Sequence, residues 1–254
     1  MTQVSFCSED VRRSFFSVIG QATVVLPTVS CGNVDQMMLD LLILNGLPSL
    51  QRIGSVYSSN LQCIIGGNAF GDDADARFVP TTSMDLYMLN QSLCLFQIRS
   101  QPKEGLAASF AHDLMALLQE WKVSNVILFS CADSTFYDIS EVRETFAYYT
   151  TSSTVLKAVD ESIPSIDIPH IHLEGTGLLA TLRTLFDASN ITYTIFIGFV
   201  TEGSNFNDAI RFIQCINAAF HFIPETIQIP SSWKRVDSWA GEEKIGRASC
   251  RERV

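Results

Sequence analysis

Four groups of residues in this chain have types and spacings that could do chemistry. The first is Gly175-Thr176-Gly177, which precedes an apolar stripe with helical spacing. Backbone N–H groups there could be presented to a phosphate at a helix N-terminus. The turn lacks the third glycine of a dinucleotide fingerprint and the Gly-Lys-Ser/Thr of a P-loop, so a structural turn is the reading the residues support. The second is His170 and His172, which share one face if the segment is extended, with Glu174 beside them. Three potential metal ligands in five residues suit zinc chemistry. No further His or Cys is close in sequence, and Gly175 ends the strand, which favours an ordinary histidine pair. The third is Asp72, Asp73 and Asp75, which could hold a hard cation but lack calcium-loop spacing and its terminal Glu. A solvated acidic loop is the plainer reading. The fourth is Ser130-Cys131, which follows an apolar run, where nucleophiles occur in α/β enzymes. It lacks the Gly-x-Ser-x-Gly elbow.

His112 and His221 lie in helical stretches without a patterned partner. Glu202 and Asp208 read as turn and cap residues. No set assembles nucleophile, base and orienter, so no catalytic, cofactor-binding or metal residue is assigned and no cofactor is expected.

The composition narrows the partners. A net charge of −10 opposes binding to nucleic acid or to an anionic membrane. No segment reaches the roughly 20 apolar residues of a membrane span. The N-terminus lacks a signal-peptide pattern. Seven scattered cysteines without Cys-x-x-Cys fit reduced thiols in cytoplasm or nucleus rather than disulfides or zinc. Nearly half of the residues are apolar and mean hydropathy is +0.20, enough for a large core. Met37, Met38, Met84 and Met88 sit in patterned elements, where ordinary core packing competes with an adaptable binding face.

These groups must be positioned by the elements around them. Phe15–Leu26 reads as a strand or strand pair broken at Gly20, and residues 1–15 show no clear pattern. Asn33–Asn45 reads as a helix, stopped by Asn45-Gly46 and Pro48. Arg52–Tyr57 is a predicted strand, and Ile64–Asn68 a short strand into a turn. Met84–Leu89 and Leu93–Arg99 flank Asn90-Gln91-Ser92 as a hairpin. Leu106–Trp121 carries Leu106, Phe110, Leu114, Leu117, Leu118 and Trp121 on one helical stripe. Asn125–Ser130 and Thr192–Val200 are unbroken apolar runs, as in strands buried on both faces. Residues 131–168 are the least readable. A helix with Leu178, Leu182, Leu185 and Phe186 follows Gly177. Asn205, with Asp208 three residues on, reads as the N-cap of a helix carrying Ala209, Ile210, Ile213, Ile216 and Phe220. Alternating strands and helices predict one α/β domain over residues 1–243, around a mixed or mostly parallel sheet. Residues 244–254 break the composition and read as a non-native, adapter-derived tail in place of the native carboxyl end.

The stretch Val24-Val25-Leu26-Pro27-Thr28-Val29-Ser30-Cys31-Gly32-Asn33-Val34-Asp35-Gln36 is a strand, a tight turn and a helix start. Its wording resembles the opening of the proteasome assembly chaperone family. Gly198-Phe199-Val200-Thr201-Glu202-Gly203-Ser204-Asn205 and Ile229-Pro230-Ser231-Ser232-Trp233 resemble the same family, as do Asp85–Ser100, Asn125–Ser130 and Gly175–Leu185. The resemblance runs in order over residues 16–239 and is poor over 131–168. It implies a three-layer α/β sandwich related to nucleoside-phosphorylase-like domains, without their catalysis. It also implies a heterodimer with proteasome assembly chaperone 1 that scaffolds the α-subunits of the 20S proteasome and blocks off-pathway association, in cytoplasm and nucleus. On that reading Gly32, Asn33 and the Glu202–Asn205 turn shape one end of the sheet. Two other classes remain open on the residues: a nucleoside or phosphate-ester enzyme using Gly175–Gly177, and a metal or ligand binder using His170 and His172.

Overall fold

The computed structural model describes residues 2–46, 49–67, 69–70, 80–137, 146–151, 163–166 and 173–233. The aspartates at 72, 73 and 75, the histidines at 170 and 172, and the 244–254 tail lie outside the described residues.

The elements are β1 (Thr2–Phe6), α1 (Glu9–Val18), β2 (Thr23–Pro27), α2 (Val34–Gly46), β3 (Leu50–Ser58), β4 (Ile65–Gly66), β5 (Thr81–Thr82), β6 (Met84–Leu89), β7 (Leu93–Ile98), α3 (Ala107–Glu120), β8 (Asn125–Asp133), β9 (Phe146–Thr150), α4 (Leu179–Asp187), β10 (Thr192–Val200) and α5 (Phe206–Phe220). Eight strands form one sheet in the order β1-β3-β6-β7-β2-β8-β10-β9, and β4 and β5 make a separate two-stranded ribbon. β7, β2, β8 and β10 are mutually parallel. β1, β3 and β6 extend one side by antiparallel pairing, and β9 closes the other. The expected mixed sheet is therefore present, with the parallel pairing at its centre. No helix among the described residues is long and apolar enough to cross a membrane.

Strand periodicity splits the core into two layers. Val24, Leu26, Val126, Leu128, Ile195 and Ile197 face one side, where they pack with Phe15, Phe110, Leu114, Leu182 and Phe186 of α1, α3 and α4. Val25, Ile127, Phe129 and Phe196 face the other, against Met38, Leu42, Phe212 and Ile213 of α2 and α5. Both faces of the central strands are thus covered, which explains their unbroken apolar runs. Each such fully buried side chain contributes about 1.5–3 kcal/mol by leaving water. α2 is buried almost all round, including Asp35, Asp40 and Asn45.

Two of the sequence expectations fail here. Phe15–Val18 belongs to α1, not to a strand. Ser8 caps that helix by accepting the Val11 N–H (3.2 Å), and Glu9 and Asp10 fill its first turn. Phe15 and Ile19, four residues apart, are buried together, and the Phe15 ring meets Trp121 edge-on at 4.7 Å. Aromatic and β-branched residues favoured a strand, and tertiary packing against Trp121 overrode them. Residues 2–6 also have a pattern, alternating half-buried and exposed along the edge strand β1.

The predicted helices and the predicted hairpin fall where the sequence places them, while β8 runs on to Asp133 and β9 lies in the stretch 131–168 that the sequence left unassigned. Asn90 and Gln91 turn the β6–β7 hairpin with φ of 48° and 60°. At the end of α2, Asn45 accepts the Gln228 N–H (2.6 Å) and donates to the Gln228 carbonyl (2.9 Å). A side-chain amide there pairs with the later chain as a strand's peptide unit would.

Candidate functional site at the carboxyl end of the parallel strands

β2 ends at Pro27, and residues 28–33 turn the chain into α2. Asp35, in the first turn of α2, points back beneath that loop. One carboxylate oxygen accepts the N–H groups of Thr28 (2.8 Å) and Ser30 (3.1 Å), and the other accepts the Gln36 N–H (3.0 Å). The residue is fully buried. Burial pushes its pKa up, hydrogen bonds from Ser30, Gln36 and Thr28 oppose the shift, and the result is about 6.

The polar network continues onto β8. The Thr28 hydroxyl donates to Ser130 Oγ (2.8 Å), and Ser30 Oγ accepts the Cys131 N–H (2.8 Å). This cluster lies at the carboxyl ends of the parallel neighbours β2 and β8, the end of the sheet where ligands bind in α/β folds. A buried acid with a raised pKa at such a place is a candidate for chemistry.

Backbone closes it. Cys31 N–H donates to the Gly175 carbonyl (2.8 Å), Asp133 N–H to Glu174 (3.0 Å), and Leu178 N–H to Thr28 (2.8 Å). Gly177 has φ of +57°, and a Cβ there would stand 2.2 Å from the Thr28 carbonyl oxygen and 2.4 Å from that of Val29. The Leu178 and Leu179 N–H groups that a phosphate would use are bonded to the Thr28 and Thr176 carbonyls. The Cys131 thiol is buried, and its pKa is pushed well up by burial and by the Asp35 charge, which makes it a poor nucleophile. The arrangement locks together the loops after β2 and β8 and the turn before α4.

A fourth loop joins them. Asn205 is the N-cap residue of α5, where the sequence places it, but its side chain makes no capping bond. Its Nδ2 instead donates to the Thr201 carbonyl (3.0 Å) and lies against Gly32. The Gly32 loop and the Glu202–Asn205 turn thus share one end of the sheet.

A second polar cluster escaped the sequence reading. Arg99 at the end of β7 holds Asp40 of α2 with two hydrogen bonds, of 3.0 and 2.6 Å. Gln97 Nε2 donates to Asp40 (2.7 Å) and to the Gln36 carbonyl (2.8 Å). Burial lowers the Arg99 pKa, but the Asp40 charge and hydrogen bond more than offset this and raise it. Arg52 pairs with the buried Asp85 at 2.6 Å nearby. The available signal was Asp40, a charge inside an otherwise apolar helix.

The other candidates are dispersed. His112 is exposed on α3, and Asp208 sits in the first turn of α5, where a carboxylate suits the helix dipole. Glu202 is exposed in its turn. Met38 and Met84 are buried, while Met37 and Met88 are half-buried. His221 is exposed at the end of α5, on the rim of a cavity of about 490 Å³ at the opposite end of the sheet. Leu93, Ile127, Tyr193, Phe220 and Phe222 are among the residues lining that cavity. Among the described residues no three His, Cys, Asp or Glu side chains gather as a metal site.

No protein-family profile matches the chain. Proteasome assembly chaperone 2 of Mus musculus is 25% identical over 238 residues, covering 85% of this chain and 89% of that protein. The Homo sapiens protein of that name is 24% identical with the same coverage. In structure the chain is similar to Pyrococcus furiosus PbaB, described as an archaeal proteasome activator (TM-score 0.62, 11% identity, 94% of this chain and 96% of that one). It is also similar to Pyrococcus furiosus PbaA, described as an archaeal homolog of proteasome-assembly chaperone (TM-score 0.58, 12% identity, 93% of each chain). The resemblance to the proteasome assembly chaperone family carried by the residues around β2, β10 and Ile229–Trp233 therefore extends over most of the chain and into its fold.

Proposed function

We propose that this protein is a chaperone of 20S proteasome assembly, acting through binding surfaces rather than through catalysis. The observation that carries this reading is the similarity over 85% of the chain to proteins named proteasome assembly chaperone 2. The Gly175–Gly177 turn agrees with it, since the N–H groups of Leu178 and Leu179 that follow are bonded to backbone carbonyls. The finer reading is a heterodimer with proteasome assembly chaperone 1 that gathers α-subunits into a ring, in cytoplasm and nucleus. A protein that binds an assembly intermediate better than the finished particle shifts the population toward that intermediate.

The test is co-expression of the chain with proteasome assembly chaperone 1 and the α-subunits of its source organism, followed by size-exclusion chromatography. Co-elution of the two chaperones with α-subunits supports the reading. Elution of the chain alone overturns it.

A further inference from the structure

We propose that the end of the sheet formed by the carboxyl termini of β7, β2, β8 and β10 is the client-docking face. Its partner is a protein surface of net positive charge with apolar depressions that receive Phe136 and Ile65. This rests on the chaperone reading above and adds the surface that performs it.

The exposed apolar side chains supply the first argument. Phe136 is 66% exposed and Ile65 is 77% exposed, with Ile64 beside it. Phe136 lies in the short turn directly after β8, at the carboxyl end. Ile64 and Ile65 reach the same end by a different route. β3 runs parallel to β7, because each pairs antiparallel with β6. The β4–β5 ribbon after β3 is pinned to the end of β7: Ile64 N–H donates to Ser83 Oγ (2.9 Å), and Arg99 N–H to the Ser83 carbonyl (2.9 Å). Ser83 directly precedes β6, and three strand spacings, about 15 Å, separate β6 from β8, a span that one interface of ordinary size covers.

The turn that carries Phe136 is held on both sides. The Asp133 carboxylate accepts the N–H and the hydroxyl of Thr135, next to Phe136. Tyr137, on its other side, packs against Phe199 at 5.6 Å and accepts the Glu174 N–H on its hydroxyl. The locked loops beneath leave little ordering entropy to lose on binding.

Charge indicates the partner. Residues 27–33, 131–137, 173–178 and 200–208 hold Asp133, Glu174, Glu202 and Asp208 and no Lys or Arg. On the β7 side, the Lys103 ammonium donates to the Ser59 carbonyl (2.8 Å) and Glu104 follows it. A basic surface would be steered toward this end, and an acidic one repelled.

The test compares Phe136→Ser, Ile65→Ser and Glu202→Lys with two controls at one position, Phe16→Ser and Phe16→Ala, on a ring of α1 that is 45% exposed. Binding of each purified variant to α-subunits, and separately to proteasome assembly chaperone 1, is measured by surface plasmon resonance at two salt concentrations. Thermal melts report folding. The expected result is a loss of affinity for α-subunits of about tenfold or more in Phe136→Ser and Ile65→Ser, with melts unchanged. Glu202→Lys is expected to slow association and weaken its salt dependence. The controls stay within about twofold of the parent. Equal α-subunit binding by all variants overturns this surface and leaves the chaperone reading intact. Loss confined to proteasome assembly chaperone 1, or to self-association seen by light scattering, overturns the choice of partner. Failure of the parent chain to bind any α-subunit overturns both.

Discussion

Gly32 and Asn205, 173 residues apart in sequence, leave no room for a side chain between them: a Cβ on Gly32 would stand 2.2 Å from Asn205 Nδ2. Gly32 also has φ of +66°, where a β-branched residue is strained. Gly32→Val is therefore expected to destabilise the fold by at least ~2 kcal/mol, read as a lower urea midpoint. Gly32→Ala combined with Asn205→Ala should lose less than the single effects summed, because the clash is removed while the backbone strain stays. Additivity of the two effects would show that the contact is not shared.

Asp35 gives stability a pH dependence of unusual sign for a carboxylate. Its folded pKa of about 6 lies above the ordinary value of 3.8. Between these values the folded state holds more protons than the unfolded chain, so stability from this group is greatest below about pH 4 and is lost as pH rises through 6. The span corresponds to on the order of 3 kcal/mol. Asp35→Asn should remove this slope. The same variant should lower stability at pH 7, because an amide cannot accept from Thr28, Ser30 and Gln36 as the carboxylate does. Urea denaturation at pH 4.5 and 7 for both proteins checks the claim, and identical slopes would sink it.

The Asp40–Arg99 pair should behave as a buried ion pair, since both side chains are nearly covered. Arg99→Met leaves the Asp40 carboxylate without its guanidinium partner and is expected to cost roughly 3–5 kcal/mol. Asp40→Leu together with Arg99→Met should recover most of that loss, because two apolar side chains need no mutual compensation. Urea denaturation of the two variants decides it: a double variant no more stable than the single one would show that Asp40 is not stranded by the Arg99 change.

The Gly175–Gly177 turn should be silent to phosphate. Millimolar inorganic phosphate or a nucleoside monophosphate is expected to leave the melting temperature unchanged, whereas a bound anion would raise it by mass action. Gly177→Ala should destabilise, since its Cβ would meet the Thr28 and Val29 carbonyl oxygens. A phosphate-dependent rise in melting temperature that Gly177→Ala abolishes would revive the ligand-binding reading.

The parts of the fold legible in the sequence are those set by local periodicity. β8 and β10 announce themselves as apolar runs, α3 as a stripe ending on Trp121, and the hairpin by Asn90-Gln91. The Gly32 turn was legible because its left-handed backbone is a local property. α1 was missed although Ser8, Glu9 and Asp10 are local start signals, because Phe15, which reads as part of a strand, finds its partner Trp121 more than a hundred residues away. Asn205 was legible as the N-cap position of α5, but the destination of its amide, the Thr201 carbonyl beside Gly32, was not. The Asp35 network was invisible as chemistry, since its partners, Thr28 and Ser30 among them, look like ordinary turn residues until β8 brings Ser130 and Cys131 beside them.

The bonds between Asn45 and Gln228 also set a timetable for synthesis. The two residues are 183 positions apart, roughly 10–40 s of translation. Throughout that interval α2 is already made, yet its buried Asn45 has no Gln228 backbone to meet. Nor has β8 received β10, its parallel neighbour. The nascent chain therefore carries an open apolar face for most of its time on the ribosome. A protein proposed to guard the assembly of others spends its own synthesis as a client for protection.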